Sequence, residues 1–170
     1  MKRILVSFIL LLPASLFAQQ DLYYFHTIRS SSLAAMYGRT VKAHYAYQVS
    51  HRRQFKLSGL FINDDYRKNS NHVDADIYNV SLQFQYNLVN QKKFFSGIHL
   101  GIGGYLLNAK DLIGIEQMER NVNFVGGLQL EYFVWRNHLA VVVDYDVLYM
   151  PFSKIYEFLH VPTAGLGIYF

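Results

Sequence analysis

The chain has 170 residues, 52% of them apolar and 16% aromatic, with a formal charge of +4 and no cysteine. That length fits one domain, and the missing thiols exclude disulfides, thiolate metal ligands, a cysteine nucleophile and lipidation at a cysteine. No stretch after residue 20 approaches the roughly 18 unbroken apolar residues of a membrane-crossing helix, so this apolarity implies either an aromatic-rich soluble β-protein or a barrel that faces lipid.

The first element is MKRILVSFILLLPASLFAQQ. Lys2 and Arg3 are basic, residues 4–12 form an apolar core interrupted only by Ser7, and Ala18 is small. This is the anatomy of a secretory signal peptide. Cleavage is expected after Ala18, although Leu16 stands where a small residue is preferred, and residues 19–170 then form the domain. Removing Lys2 and Arg3 lowers the formal charge to +2, so the basic balance says little about a nucleic-acid partner.

From there the period is two. Strands are expected at 22–36, 40–50, 54–66, 73–88, 93–108, 121–134, 138–149 and 159–170, the first with its pattern interrupted by Arg29 and the serines that follow. In the second, Val41, Ala43, Tyr45, Tyr47 and Val49 oppose Lys42, His44 and Gln48. In the fourth, Tyr78, Val80, Leu82, Phe84, Tyr86 and Leu88 alternate without exception with Asn79, Ser81, Gln83, Gln85 and Asn87. In the fifth, Ile98, Leu100, Ile102 and Leu106 oppose Gly97, His99, Gly101, Gly103 and Tyr105. The sixth sets Phe124, Leu128, Leu130 and Tyr132 against Asn123, Gln129 and Glu131, and the seventh sets Val141, Val143 and Tyr145 against Asp144 and Asp146. Each strand has one bulky apolar face and one small or polar face. A barrel in lipid needs that inversion, apolar outside and small or polar inside. A soluble barrel holding a ligand would reverse it.

The connections read the same way. Polar turns at SHRR, NQKK and WRN alternate with longer polar stretches, DYRKNSNH, NAKDLIGIEQMER and MPFSKIYE. Tight turns on one rim and loops on the other suit an antiparallel up-and-down transmembrane barrel with both ends on the periplasmic side. Aromatic residues near the strand ends, Trp135 among them, suit the membrane–water interface. The last strand is TAGLGIYF, with Ala164, Leu166, Ile168 and Phe170 facing lipid and Thr163, Gly165, Gly167 and Tyr169 inward. With Thr163, Gly165, Ile168 and Phe170 at its fixed positions, the phrase resembles the C-terminal insertion signal that the barrel assembly machinery reads in small outer-membrane barrels of the OmpA and OmpX kind.

A narrower likeness follows from LEYFVWRNHLAVVVDYDVLYMPFSKIYEFLHVPTAGLGIYF, preceded by KKFFSGIHLGIGGYLLNAK. The order of strand, tight turn, aliphatic strand, Ser-Lys loop, His and Gly-x-Gly strand resembles the TraO family of conjugative-transposon proteins from Bacteroidota, over residues 84–170. The loop MPFSKIYEF departs from the family, which has small residues there. The resemblance implies an outer-membrane component of a conjugative DNA-transfer apparatus, with other transfer proteins as partners and no identifiable catalytic residues.

The chemical constellations are weak. Asp144, Asp146 and Glu131 point inward, where pairing with Lys42, His44 or His99 would fill a narrow lumen; acid–base work or a divalent cation is the rival reading. The seven histidines are scattered, and no metal or cofactor is expected. GIGG at 101–104 has no following helix to make a phosphate loop. A lipid-modifying enzyme would need Ser153 or Ser70 beside His72 or His160, and the spacing pairs none of them. The expectation is a non-enzymatic barrel in contact with outer-membrane lipid and without direct nucleic-acid binding. Adhesion or partner recognition through the loops is the alternative to a transfer role.

Overall fold

A computed structural model of the chain describes residues 31–37, 40–68, 71–91, 93–110, 116–135 and 138–169. The expected signal peptide, the start of the first expected strand, Ser70 and Phe170 lie outside the described residues. Eight strands follow one another: β1 (Ser31–Tyr37), β2 (Thr40–Ser50), β3 (Arg53–Lys68), β4 (Asn71–Gln91), β5 (Phe94–Lys110), β6 (Glu116–Trp135), β7 (Leu139–Tyr149) and β8 (Phe158–Tyr169). Each pairs antiparallel with the next, and β1 closes the barrel on β8 from Ser32↔Tyr169 to Tyr37↔Ala164. The sheet is therefore all-β, up-and-down and without a long free edge at mid-height.

The alternation sets the two faces as expected. Along β2 every second residue is buried, Lys42, His44, Ala46 and Gln48, while Val41, Tyr45, Tyr47 and Val49 are exposed. Leu100, at 70% exposure, and Val80, Leu82, Leu128, Leu166 and Ile168 belong to a continuous outward apolar band. A water-soluble monomer seldom exposes an apolar patch beyond a few hundred Å², whereas a lipid-facing wall requires one.

Two expectations need correction. Two of the three long polar stretches, at 65–72 and 108–120, are mostly strand among the described residues, whereas MPFSKIYE is the loop expected. β3 runs to Lys68 and β4 starts at Asn71, while β5 runs to Lys110 and β6 starts at Glu116. Ladder hydrogen bonds form whatever the side chains are, so polar residues in water extend the sheet. Nor do short and long connections alternate strictly, because β1 and β2 are joined at the loop end through residues 38–39 alone.

The second correction concerns the interior, which is not polar throughout. At the loop end, inward Leu60, Ile62, Ile77, Leu107, Leu148 and Val161 form an apolar cluster with Met150 and Tyr156. At the turn end, Phe95, Phe133, Ala140 and Tyr169 form a smaller one. Polar side chains fill the layer between and share the turn end, where Gln48, Gln54, Asn87 and Asn90 are buried.

Glycines on the inner face make room for this filling. A Cβ added at Gly127 would stand 2.6 Å from His99 Nε2 and closer still to the Tyr145 carbonyl oxygen, whereas one at Gly59 finds nothing nearer than 4.0 Å. Gly127→Ala is therefore expected to cost about 1–3 kcal/mol through overpacking, and Gly59→Ala close to nothing. Urea unfolding of the refolded barrel in detergent, read by the gel shift on boiling, compares the two; equal midpoints would show that the lumen is looser than described.

Candidate functional site

The middle layer is a chain of charged and polar groups that crosses the lumen. Lys42 on β2 sends its Nζ to Asp144 Oδ2 at 2.6 Å and to Asp146 Oδ2 at 2.5 Å, both on β7. His99 on β5 holds the other oxygen of Asp146 through Nε2 at 2.6 Å. Lys56 on β3 lies 3.9 Å from Asp144 Oδ2 and donates to Gln129 Oε1 on β6 at 2.5 Å. Gln129 donates to Glu131 Oε1 at 2.9 Å, and the Tyr169 hydroxyl on β8 donates to Glu131 Oε2 at 2.7 Å.

Except for the step from Gln129 to Glu131 within β6, these links join strands that are not neighbours in the sheet. The ladder holds adjacent strands, and the side chains hold opposite walls. Both lysines are fully buried, at 0% exposure, and a buried ammonium without a carboxylate partner would be severely penalised. Alternation puts Lys42 and the two aspartates on the inner face; the register of β7 then brings Asp144 and Asp146 to one side of the lysine.

His99, Asp144 and Asp146 offer ligand atoms within 4.8 Å of one another, the geometry of a candidate metal site. The Lys42 ammonium already bridges the two carboxylates, so a cation would have to displace it. The group fits a buried ion-paired buttress better than a metal centre.

Above this layer the loop between β7 and β8 folds inward as a cap. Tyr156 is buried in the apolar cluster and its hydroxyl donates to Asp64 Oδ2 on β3 at 3.0 Å. Ser153 Oγ donates to Glu119 Oε2 on β6 at 2.7 Å, and the Lys154 N–H donates to Glu119 Oε1 at 3.0 Å. The loop thus crosses from the short β7 to the inner surfaces of two longer strands.

Those longer strands project. β3 has no β2 partner beyond Ile62, paired with Thr40, and β6 has no β7 partner above Phe124, paired with Tyr149. At roughly 3.3 Å per residue and a strand tilt of about 40°, residues 63–68 add about 15 Å of height over the β1–β2 hairpin. The ring pairs Phe61–Tyr78 and Phe124–Tyr149 mark the level at which the wall becomes uneven.

The sequence-predicted lumen residues Lys42, His99, Asp144, Asp146 and Glu131 all lie inside, and the first four meet directly. His44 is buried beside them, but its Nδ1 has no hydrogen-bond partner among the described residues. Thr163 is buried opposite Asp144, Gly165 lies on the inner face, and Ile168 is exposed. Of the enzyme candidates, Ser153 is held by Glu119, and the ring of His160 is held by the Tyr145 hydroxyl at 2.8 Å, so they do not meet. The side chain of His72 lies outside the description. Reading the sequence missed Lys56 and the Tyr169 hydroxyl as network members; Lys56 was legible, since QFKLSGLF alternates like the other strands.

The lysine bridge generates a test. Lys42→Met leaves the two buried carboxylates opposed only by Lys56, 3.9 Å from Asp144, and by His99 on Asp146, which is expected to cost about 3–5 kcal/mol. Adding Asp146→Asn, with Asp144 kept as the partner of Lys56, should recover part of that loss. Urea midpoints of the wild type and the two refolded variants measure it; a double variant no more stable than the single would contradict the pairing.

No family model matches the chain, and no curated protein matches it. Solved structures do share its fold. The chain is similar to neisserial surface protein A at 12% identity and a TM-score of 0.60, over 83% of this chain and 94% of that one. It is similar to the N-terminal β-barrel domain of Pseudomonas aeruginosa OprF at 14% identity and a TM-score of 0.64, over 84% and 98%. It is also similar to Ail, the attachment invasion locus protein of Yersinia pestis, at 13% identity and a TM-score of 0.53, over 83% and 97%. The fold is that of the small outer-membrane β-barrels.

Proposed function

We propose that this protein is exported to the outer membrane and acts there as a non-enzymatic recognition barrel, meeting its partner through the sheet that rises at the loop end. One observation carries the reading: β3, β4, β5 and β6 continue past their neighbours into an upright sheet, while the lumen beneath is filled and capped. A filled lumen offers no wide aqueous path, and the raised sheet is the part a partner would meet first. Short turns then lie on the periplasmic rim.

The leader at residues 1–18 supports export, and the closing phrase with Thr163, Gly165, Ile168 and Phe170 supports insertion by the barrel assembly machinery. The same fold carries Ail, an attachment invasion locus protein whose structure holds the heparin analogue sucrose octasulfate. That likeness is compatible with a surface-contact role here. The narrower role, an accessory part of a conjugative DNA-transfer apparatus, rests on the residue order over 84–170, and no feature of the geometry favours it over recognition.

The test trims the sheet and spares the barrel. Joining Asp64 to Ala75 and Asn108 to Met118 through Asn-Gly turns removes the raised tips but keeps Asp64 and Glu119, which anchor the cap. The trimmed protein should still shift on boiling, and cells carrying it should lose about tenfold or more in adherence to surfaces coated with heparin or matrix proteins, the scale of a single lost anchor contact. Adherence equal to that of the intact protein would contradict the reading. A fall in conjugative transfer with unchanged adherence would favour the narrower role.

A further inference from the structure

The two ends of the barrel carry different charge. At the loop end cations and carboxylates mix: Asp64, Asp76, Glu119 and Glu157 share it with Arg120 and Lys154. At the turn end the three turns carry cations alone. Arg52 lies in the turn between β2 and β3 and Arg53 opens β3, Lys93 lies between β4 and β5, and no Asp or Glu occurs in residues 49–55, 89–95 or 134–140. In the sequence Lys92 and Arg136 join the same turns, although both lie outside the described residues.

Three features of this rim point to one occupant. First, Arg53 and Lys93 are exposed, and neither they nor Arg52 has an ion-pair partner among the described residues. Their charge is free for an external anion. Second, they stand where the apolar band ends. Arg53 closes the outward column of Phe55 and Leu57 and pairs in register with Tyr86, and Lys93 precedes the exposed Phe94. Trp135, 63% exposed, stands at the same end of β6. Cations beside interfacial aromatics lie at headgroup depth. Third, by sequence each of the three turns carries a cation, with Arg52 and Arg53 on the first, Lys92 and Lys93 on the second and Arg136 on the third, so the positive charge is spread along the rim and not confined to one turn. A protein partner would meet one side, whereas lipid surrounds the barrel.

We propose that the turn rim is a docking ring for anionic phospholipid headgroups of the periplasmic leaflet, with the phosphates held by Arg52, Arg53 and Lys93. The proposal rests on the membrane placement given above. Juxtamembrane Lys and Arg attract anionic lipid additively, and the attraction fades within a Debye length. It follows that the ring should enrich phosphatidylglycerol over zwitterionic lipid locally and lose the preference in salt.

The molecule carries its own reporter, because Trp135 is its single tryptophan and stands on this rim. The refolded protein is inserted into phosphatidylcholine vesicles containing equal mole fractions of either brominated phosphatidylglycerol or brominated phosphatidylcholine, and Trp135 quenching is compared. The wild type should show about a threefold preference for the anionic lipid at low salt, reduced towards unity at roughly 0.5 M salt. The variant Arg52→Ser/Arg53→Ser/Lys93→Ser should insert, shift on boiling and show no preference. Lys154→Ser, at the other rim, should keep it. Equal quenching by both lipids in the wild type, or an undiminished preference in the triple variant, overturns the ring while leaving the barrel intact. Failure of the wild type to insert into any vesicle overturns the membrane placement and the ring with it.

Discussion

The pairing of β1 with β8 is the constraint on which everything else depends. Inside lipid no water can satisfy a backbone N–H or C=O, so a sheet survives there only if it has no edge. Closure from Ser32↔Tyr169 to Tyr37↔Ala164 satisfies the two strands that would otherwise be left open. It also creates an interior that must be filled, because eight strands leave space for side chains and little more. Inverted faces, inner glycines and a buried charge layer all follow from having to close and then fill one narrow tube.

The filling is arranged in storeys. Apolar clusters occupy both ends, and the lysine–aspartate layer lies between them, shielded from water above and below. Replacing a buried ion pair by apolar groups is often neutral or stabilising, so the layer is better understood as fixing arrangement than as adding stability. A one-residue slip of β7 would turn Asp144 and Asp146 towards lipid and leave Lys42 unpaired. The charges therefore penalise wrong registers in a wall whose backbone bonds alone would tolerate them. Above the upper cluster that demand ends, and the longer strands leave the barrel as a sheet in water.

Much of this was legible in the sequence, for a physical reason. Period-two alternation with the bulky face outward is forced by lipid on one side and a tube on the other, and no single residue of the run from Tyr78 to Leu88 departs from it. The inward charges were legible by the same parity. The apolar cap was hidden because its residues double the pattern: in GLFI, DIYN, YLLN and DVLY an inward Leu60, Ile77, Leu107 or Leu148 stands beside an outward apolar or aromatic neighbour, and the run reads as one apolar cluster. Which lysine meets which aspartate was not legible, since partners on non-neighbouring strands are set by the stagger of the whole barrel. Polar pairs such as Arg67 with Lys68 and Asn71 with His72 were misread as loop because polarity in water does not distinguish a loop from a strand whose bonds lie in the backbone.

The most direct measurement is a single-cysteine scan of β6, which a chain without native cysteine makes clean. Residues 122–134 would be replaced one at a time in the vesicle-inserted protein, spin-labelled, and tested for collision with dissolved oxygen, which concentrates in lipid. The account predicts strict alternation: high accessibility at Phe124, Leu128, Leu130 and Tyr132, and low accessibility at Asn123, Gln129 and Glu131, which are buried. The opposite phase, or accessibility without a period of two, would mean that the apolar face does not meet lipid and would contradict the account at its base.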